Sequence, residues 1–310
     1  MAKRLKIEKT YSFIILVLFS YQANSQSKII FSRSLGGLNT GETLDLMIYD
    51  TQTKKTSLLL KGSVSRRGEH DAVTSPDNSK IIFNTYRFNG WKLGVGDFHD
   101  GAISNVKKLT NRSNYEYNPK YSPNGLKVAY QEYNWGTGDS DIFITDKNGN
   151  NAIHFIKSKG PDHCPDWTND NKSIVFASAK EDNFNIFIKL INDNISKKLT
   201  ENSGDNFAPS VSKISNKIAF LSSKSRKIEL CVMDIDGNNL KNLTPNLKTD
   251  TFKSEGYWAY KTSWSPDGKQ IVFSVLINGD FELFIVNNDG TGLTQITDNS
   301  DTDITPFWMN

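Results

Sequence analysis

The most regular feature of the chain is a short apolar run that ends in an aromatic residue and recurs six times. The sequence Ser-Lys-Ile-Ile-Phe occupies positions 27–31 and again 79–83 without a change. Looser copies follow, and the six closing aromatic residues are Phe31, Phe83, Tyr130, Phe176, Phe220 and Phe273. They are roughly 44 to 53 residues apart, a period typical of solenoids and propellers.

Each repeat unit has the pattern of four short strands. β-Branched and aromatic runs alternate with turn sequences such as Ser-Pro-Asp-Gly at 265–268, and no long stretch has a helical 3.6-residue periodicity. A third strand is predicted in each unit, as at 45–50 and 282–287, and Asn-Gly or Asp-Gly turns then lead to a fourth. Because four strands make one propeller blade, we predict an all-β, six-bladed β-propeller.

The two ends of the chain complement each other. In the later repeats a strand precedes the apolar run, whereas nothing comparable precedes the copy at 27–31. The missing pattern occurs near the C-terminus, where 303–308 matches 162–167. We therefore predict that the C-terminal strand pairs with the N-terminal blade, which closes the ring and removes an exposed sheet edge. One propeller domain then covers residues 26–310.

The repeats also carry a family resemblance. The segments 263–273 and 282–286 read Ser-Trp-Ser-Pro-Asp-Gly-Lys-Gln-Ile-Val-Phe and Glu-Leu-Phe-Ile-Val, and they resemble the PD40, WD40-like repeats of the TolB β-propeller family. The resemblance recurs in register over residues 27–310. It implies a six-bladed propeller that is exported to the periplasm and binds other proteins. TolB itself has an α/β domain before its propeller, whereas here we expect the N-terminal segment to run straight into the first blade.

The N-terminal segment has the layout of a cleaved secretory signal. Cationic side chains precede an apolar run at 12–20, and a small-residue end follows at 23–25. Because the run is too short to span a bilayer, we predict a signal peptide at 1–25 and a periplasmic or secreted mature chain without an integral membrane segment. An uncleaved N-terminal anchor is the alternative. Cys164 and Cys231 fall on different blades, so we expect two free thiols.

Composition narrows the classes of partner. Of the 310 residues, 37% are hydrophobic, which is enough for a full core, and the formal charge is +3. Four of the 37 Lys and Arg residues and one of the 34 Asp and Glu residues lie in 1–25, so 33 of each sign remain. Binding to nucleic acid or to anionic membranes relies on clustered Lys and Arg. We expect neither partner, and we expect a monomer.

Aligning the blades predicts a ligand site around one end of the central channel. Near the start of each inner strand, one aligned position is acidic in four blades, at Glu69, Glu116, Asp162 and Asp303. The next position is mostly aromatic or His and includes Tyr117 and Tyr260, and loops expected at the same end carry Arg87, Trp91 and Trp135. Carboxylates beside flat rings suit sugars or peptide side chains. The alternative is that the acidic residues cap turns while the aromatic residues pack between blades.

His70 and His163 follow the aligned carboxylates in two blades and make one divalent metal ion a candidate cofactor. Inner-strand His residues in PD40-like propellers also resemble those of oligogalacturonate lyases, which implies a metal-dependent lyase, although those enzymes have seven blades. The sequence contains no G-x-S-x-G elbow, phosphate loop or C-x-x-C pair. We therefore predict a non-catalytic binding or scaffolding protein for an envelope protein or glycan, with a metal-dependent carbohydrate-active enzyme as the alternative.

Overall fold

Short β-branched segments separated by tight turns make this chain a succession of β-hairpins. The structure, a computed structural model, describes residues 28–36, 43–65, 67–181, 183–201, 204–252 and 254–310. Within these ranges 24 strands form six four-stranded antiparallel sheets, the blades of a propeller. The predicted all-β, six-bladed architecture is confirmed. The predicted signal peptide at 1–25 lies outside the described residues.

In five blades the strands run in chain order from the innermost strand, next to the channel, to the outermost one. In the first blade the inner strand comes from the C-terminus. The first blade contains β24 (Thr302–Trp308), β1 (Lys28–Ser34), β2 (Leu44–Asp50) and β3 (Lys55–Leu60). The second contains β4 (Glu69–Thr74), β5 (Lys80–Thr85), β6 (Lys92–His99) and β7 (Ala102–Lys108). The third contains β8 (Tyr115–Tyr121), β9 (Lys127–Asn134), β10 (Asp139–Asp146) and β11 (Ile153–Ile156).

The remaining three blades repeat the same order. The fourth contains β12 (Asp162–Trp167), β13 (Ser173–Glu181), β14 (Asn183–Leu190) and β15 (Ser196–Lys198). The fifth contains β16 (Asn206–Val211), β17 (Lys217–Ser222), β18 (Glu229–Asp234) and β19 (Lys241–Asn242). The sixth contains β20 (Thr262–Trp264), β21 (Gln270–Ile277), β22 (Asp280–Asn287) and β23 (Thr294–Gln295). Two short 3₁₀ helices occur at Lys224–Arg226 and Ser254–Ala259, and the described ranges hold no helix long and apolar enough to cross a membrane.

The core lies between neighbouring blades, and the repeated aromatic residues form it. All six closing aromatic residues lie on the second strand of their blade and are at most 1% exposed. Phe83 packs in one cluster with Ile30 of the first blade, and Phe31 packs with Val272 of the sixth. Each blade buries its apolar surface against the next, so the aromatic residues that recur in the sequence are also the residues that stabilise the ring.

The turns between the strands depend on short polar side chains and on glycine. In the sixth blade the hydroxyl of Ser265 donates to Asp267 Oδ1 at 2.7 Å and accepts from the backbone N–H of Gln270 at 2.9 Å. Elsewhere a glycine is required, because Gly149 has a φ of +84° and a Cβ there would lie 1.8 Å from the carbonyl oxygen of Leu109. An L-residue at this turn would meet both strain and a backbone clash.

The ring closes as predicted. β24 pairs antiparallel with β1, with Ile29 opposite Trp308 and Arg33 opposite Asp303. Side chains reinforce this pairing, since the guanidinium of Arg33 donates from Nε and Nη2 to the two carboxylate oxygens of Asp303, each at 2.7 Å. The C-terminal strand therefore supplies the inner strand of the first blade and leaves no open edge at that position.

Candidate binding site at the channel mouth

A bulge in five of the six inner strands aims one side chain of each into the central channel, and in the sixth blade Lys261 occupies the same aligned position. The residues at this position are Asp71, Asn118, Cys164, Ala208, Lys261 and Thr305, and all six line one cavity of about 30 Å³. Five of them, all except Lys261, have a φ between 50° and 52°, and the pairing register shifts at each of these five positions. Bulges of this kind redirect side chains, so the channel is lined by a position that the sequence alignment did not single out.

The channel contains a buried ionic cluster. The ammonium Nζ of Lys261 lies 3.6 Å from Asp71 Oδ1 and 3.4 Å from the sulfur of Cys164. His70 Nδ1 lies 3.0 Å from the other oxygen of Asp71. Burial acts to raise the pKa of Asp71, but Lys261 and His70 outweigh it and hold that pKa below its usual value. Burial likewise acts to lower the pKa of Lys261, and Asp71 reverses the direction, so both groups are held in their charged forms.

The four aligned carboxylates are not exposed at the mouth. Glu69, Glu116, Asp162 and Asp303 are each 0% exposed. Glu69 accepts from the hydroxyl of Ser63 at 2.8 Å and from Nε of Arg87 at 2.9 Å, which also fixes the predicted site residue Arg87. This placement differs from the exposed ring expected from the alignment, because the loop before each inner strand supplies a donor to the carboxylate, as Ser63 does for Glu69, and groups from neighbouring loops or strands supply the others.

The other three carboxylates are covered in the same way. Glu116 accepts from the hydroxyl of Thr110 and from the backbone N–H of Leu93, and burial raises its pKa. The hydroxyl of Ser158 lies 2.8 Å from both oxygens of Asp162, and burial raises the pKa of Asp162 to about 6. Burial also raises the pKa of Asp303, although its ion pair with Arg33 opposes this. These groups tie loops to strands.

The aromatic side chains, by contrast, form a continuous surface over the second and third blades. We call this surface the aromatic face, and it consists of Tyr86, Trp91, Tyr115, Tyr117, Tyr133 and Trp135. Neighbouring ring centroids lie between 4.9 and 6.4 Å apart along the series. Trp135, at its end, is 63% exposed. The guanidinium of Arg67 lies 5.5 Å from the ring of Tyr86. Trp91, Tyr117 and Trp135 were predicted for the site, whereas Tyr115 was missed because it precedes the aligned positions.

The 3₁₀ helix at Ser254–Ala259 brings aromatic rings to the same end of the channel. The ring of Trp258 lies 5.7 Å from that of His70, and Tyr257 lies 5.0 Å from Phe184. Phe184 in turn lies 5.0 Å from the ring of His163. The predicted site residue Tyr260 is 1% exposed and packs against Phe207.

These contacts surround the two proposed metal ligands with aromatic rings. Each imidazole, of His70 and of His163, has ring neighbours within about 5 Å. Burial, with a smaller effect of Lys261, lowers the pKa of His163 to about 3. In the part of the chain that the structure describes, no three His, Cys, Asp or Glu side chains are grouped so that they could hold a metal ion. Metal binding by His70 and His163 stays a prediction, and so does the alternative of a metal-dependent carbohydrate-active enzyme.

Comparison with known proteins matches this architecture. The family model for the TolB β-propeller domain, PD40, matches residues 21–259, which is most of the chain. The chain belongs to this family. A TolB homologue of Chlorobium luteolum is 26% identical over 114 residues, which cover 37% of this chain and 24% of the relative. The chain thus spans about a quarter of the length of that curated relative.

Two solved TolB structures share the fold. TolB from Acinetobacter baumannii has a TM-score of 0.74 at 19% identity, and the match covers 92% of this chain and 67% of that one. A putative TolB from Agrobacterium tumefaciens has a TM-score of 0.64 at 16% identity, over 90% of this chain and 97% of that one. At these identities the likeness establishes the TolB-like propeller fold alone.

Proposed function

We propose that this TolB-like propeller is a non-catalytic binding protein of the periplasm or cell envelope that holds a partner protein on its aromatic face. The observation that carries the proposal is the unbroken series of rings from Tyr86 to Trp135. Family membership supports it, because PD40 propellers are used for binding other proteins. The buried carboxylates contribute to it only by fixing the loops that present the rings.

The chemistry of the face suits a protein partner. Tyr and Trp bury a large apolar area at low cost in side-chain entropy, and they are enriched at the centres of interfaces together with Arg. The face carries both kinds of group, since Arg67 stacks on Tyr86 and Arg87 is exposed beside it. A partner with apolar side chains and a few carboxylates would match this surface.

The direct test compares capture of envelope proteins by two variants. In the first, Tyr115→Ala and Trp135→Ala remove two rings of the face. In the control, Leu58→Ala and Leu240→Ala remove two exposed apolar side chains of the first and fifth blades, which are 54% and 62% exposed against 63% for Trp135. Immobilised wild type and variants are incubated with an envelope extract, and the bound proteins are quantified by mass spectrometry.

The proposal predicts one or a few proteins that the wild type and the leucine variant retain and that bind the ring variant at least about thirtyfold more weakly, since truncating a hot-spot aromatic residue costs about 2 kcal/mol or more. Equal retention by both variants would refute the aromatic face as the binding surface.

The location is tested separately: N-terminal sequencing of the chain from the periplasmic fraction should find residues 1–25 removed.

A further inference from the structure

The central channel has a second cavity at the end opposite the aromatic face. It lies where the inner strands run into the turns that follow them, and its volume is about 40 Å³, which is room for about three water molecules. Among the described residues, the charged side chains that line it are Lys120, Asp166 and Lys213. The proposed binding function uses none of these three side chains.

Both lysines are departures from the repeat. Lys213 occupies the place that Pro holds in the turns at 75–78, 122–125 and 265–268. Lys120 lies two residues after the bulge of β8, and the residues at the same position in the other blades are Val73, Asp166, Ser210, Ser263 and Phe307. Because the other blades form without an ammonium group at either position, the propeller fold does not require these two lysines.

Neither ammonium group has a carboxylate as its partner. Nζ of Lys213 donates to Oδ1 of Asn310 at 2.5 Å, and the backbone oxygen of Asn310 accepts from the amide of Asn78 at 2.7 Å. Nζ of Lys120 lies 5.3 Å from the ring of Phe307 and makes no hydrogen bond or ion pair with a described residue. An ammonium group has three donors, so both lysines keep donors that no described residue uses.

The carboxylate side chain in the cavity is already occupied. Asp166 accepts from the backbone N–H of Trp167 at 2.9 Å and from that of Val211 at 2.8 Å, one bond to each oxygen. Burial lowers the pKa of Lys213, Asp166 opposes this effect, and the like charge of Lys120 adds to it. An anion between the two ammonium groups would offset both their burial and their mutual repulsion.

We propose that this cavity binds one small oxyanion, a phosphate or a carboxylate group, between the ammonium groups of Lys120 and Lys213. Hydrogen bonds from an ammonium to phosphate or carboxylate oxygens are roughly twice as strong as those between neutral groups. The volume suits one such group and is too small for a nucleotide or a sugar phosphate. Two sources have this chemistry: free inorganic phosphate, and a carboxylate side chain of a partner that enters the channel from this end.

Isothermal titration calorimetry on the whole protein tests the site. Potassium phosphate and potassium acetate are titrated separately in HEPES buffer at constant ionic strength. We expect one anion per chain, with a Kd for phosphate of about 1 mM or lower. Phosphate binding at least about tenfold tighter than acetate binding would identify free phosphate as the ligand, and acetate binding of equal or greater strength would identify a carboxylate group.

Removing each ammonium group separates this site from general attraction of anions to the surface. Lys120→Met and Lys213→Met should each weaken binding at least about tenfold. The matched control is Lys172→Met, which removes an exposed charge from the turn after β12 at the same end of the propeller and should change the Kd less than about twofold.

The two lysine variants also guard against a failure to fold. If K213M folds poorly because Asn310 loses its donor, K120M makes the same comparison, since its ammonium group has no hydrogen-bond partner to lose among the described residues. Lys213→Arg should keep most of the affinity because it keeps the charge. No saturable binding of either anion by the wild type, or affinities of K120M and K213M equal to that of K172M, would overturn the proposal.

Discussion

The ion pair between Arg33 and Asp303 is the side-chain contact that should contribute most to closing the ring. It joins β1 to β24 through two bonds of 2.7 Å, and Asp303 is 0% exposed. Arg33→Met removes both donors and leaves the carboxylate with the amide of Asn299 at 3.0 Å. Removing one partner of a buried pair costs about 3–5 kcal/mol. Because the side chain of Arg33 is 18% exposed, we expect the lower end, about 3 kcal/mol.

Urea unfolding followed by tryptophan fluorescence measures this loss. At a slope of a few kcal/mol per M, the midpoint of R33M should fall by roughly 1 M at pH 7. The loss should shrink towards pH 4. Burial already raises the pKa of Asp303, and removing Arg33 raises it further. A carboxyl group with a raised folded-state pKa favours folding at low pH, and that stability is lost as pH rises through the folded pKa.

An exposed ion pair in the same blade provides the matched control. Lys61 Nζ lies 2.8 Å from Asp45, but the lysine side chain is 65% exposed and Asp45 also accepts from the backbone N–H of Gly62. Lys61→Met should therefore cost less than about 1 kcal/mol. An R33M midpoint no lower than that of K61M, or a deficit that does not change with pH, would refute this account of closure.

Three further predictions concern buried charge, turn geometry and the exposed face. Asp162 has a pKa of about 6 against an ordinary 3.8, so its ionised form lowers the stability of the fold by up to roughly 3 kcal/mol once pH exceeds 6. D162N should therefore raise the urea midpoint more at pH 7 than at pH 4, and equal gains at the two pH values would contradict this. Gly149→Ala should lower the free energy of unfolding by about 3 kcal/mol or more, because its Cβ would meet the carbonyl of Leu109. Gly138→Ala, where the Cβ would enter open space, should lower it by about 1 kcal/mol. Similar urea midpoints for the two variants would show that the turn at Gly149 can shift. Trp135→Ala should change stability by less than about 0.5 kcal/mol because its ring is 63% exposed; a larger loss in the same unfolding assay would mean that the ring supports the fold.

The repeats made the blades and their closure predictable, because each blade buries the same positions. Phe31 and its five equivalents are periodic in sequence for the same reason that they are buried in space. The match of 303–308 to 162–167 likewise located the strand that pairs with β1. Interactions that every repeat shares can therefore be read from one sequence.

The candidate site was less predictable because its contacts are not periodic. Glu69 and Asp162 occupy the aligned positions, but the groups that cover them, Arg87 and Ser158, come from loops of different length and composition. The channel cluster was also missed, since Lys261 and Asp71 are far apart in sequence and come from the sixth and second blades. One signal was present: the aligned position after the two histidines holds a Lys, an Asp and a Cys, an unusual set for buried inner strands.

The measurement that tests the central claim most directly is site-specific photo-crosslinking in the intact envelope. A photoreactive phenylalanine analogue is placed at position 135 on the aromatic face, or at position 58 on the outer strand β3, and crosslinked products are identified by mass spectrometry. The account predicts a discrete adduct to one partner protein from position 135, lost when Tyr115→Ala is added, and none from position 58. The same adducts from both positions, or an adduct from position 58 alone, would contradict it.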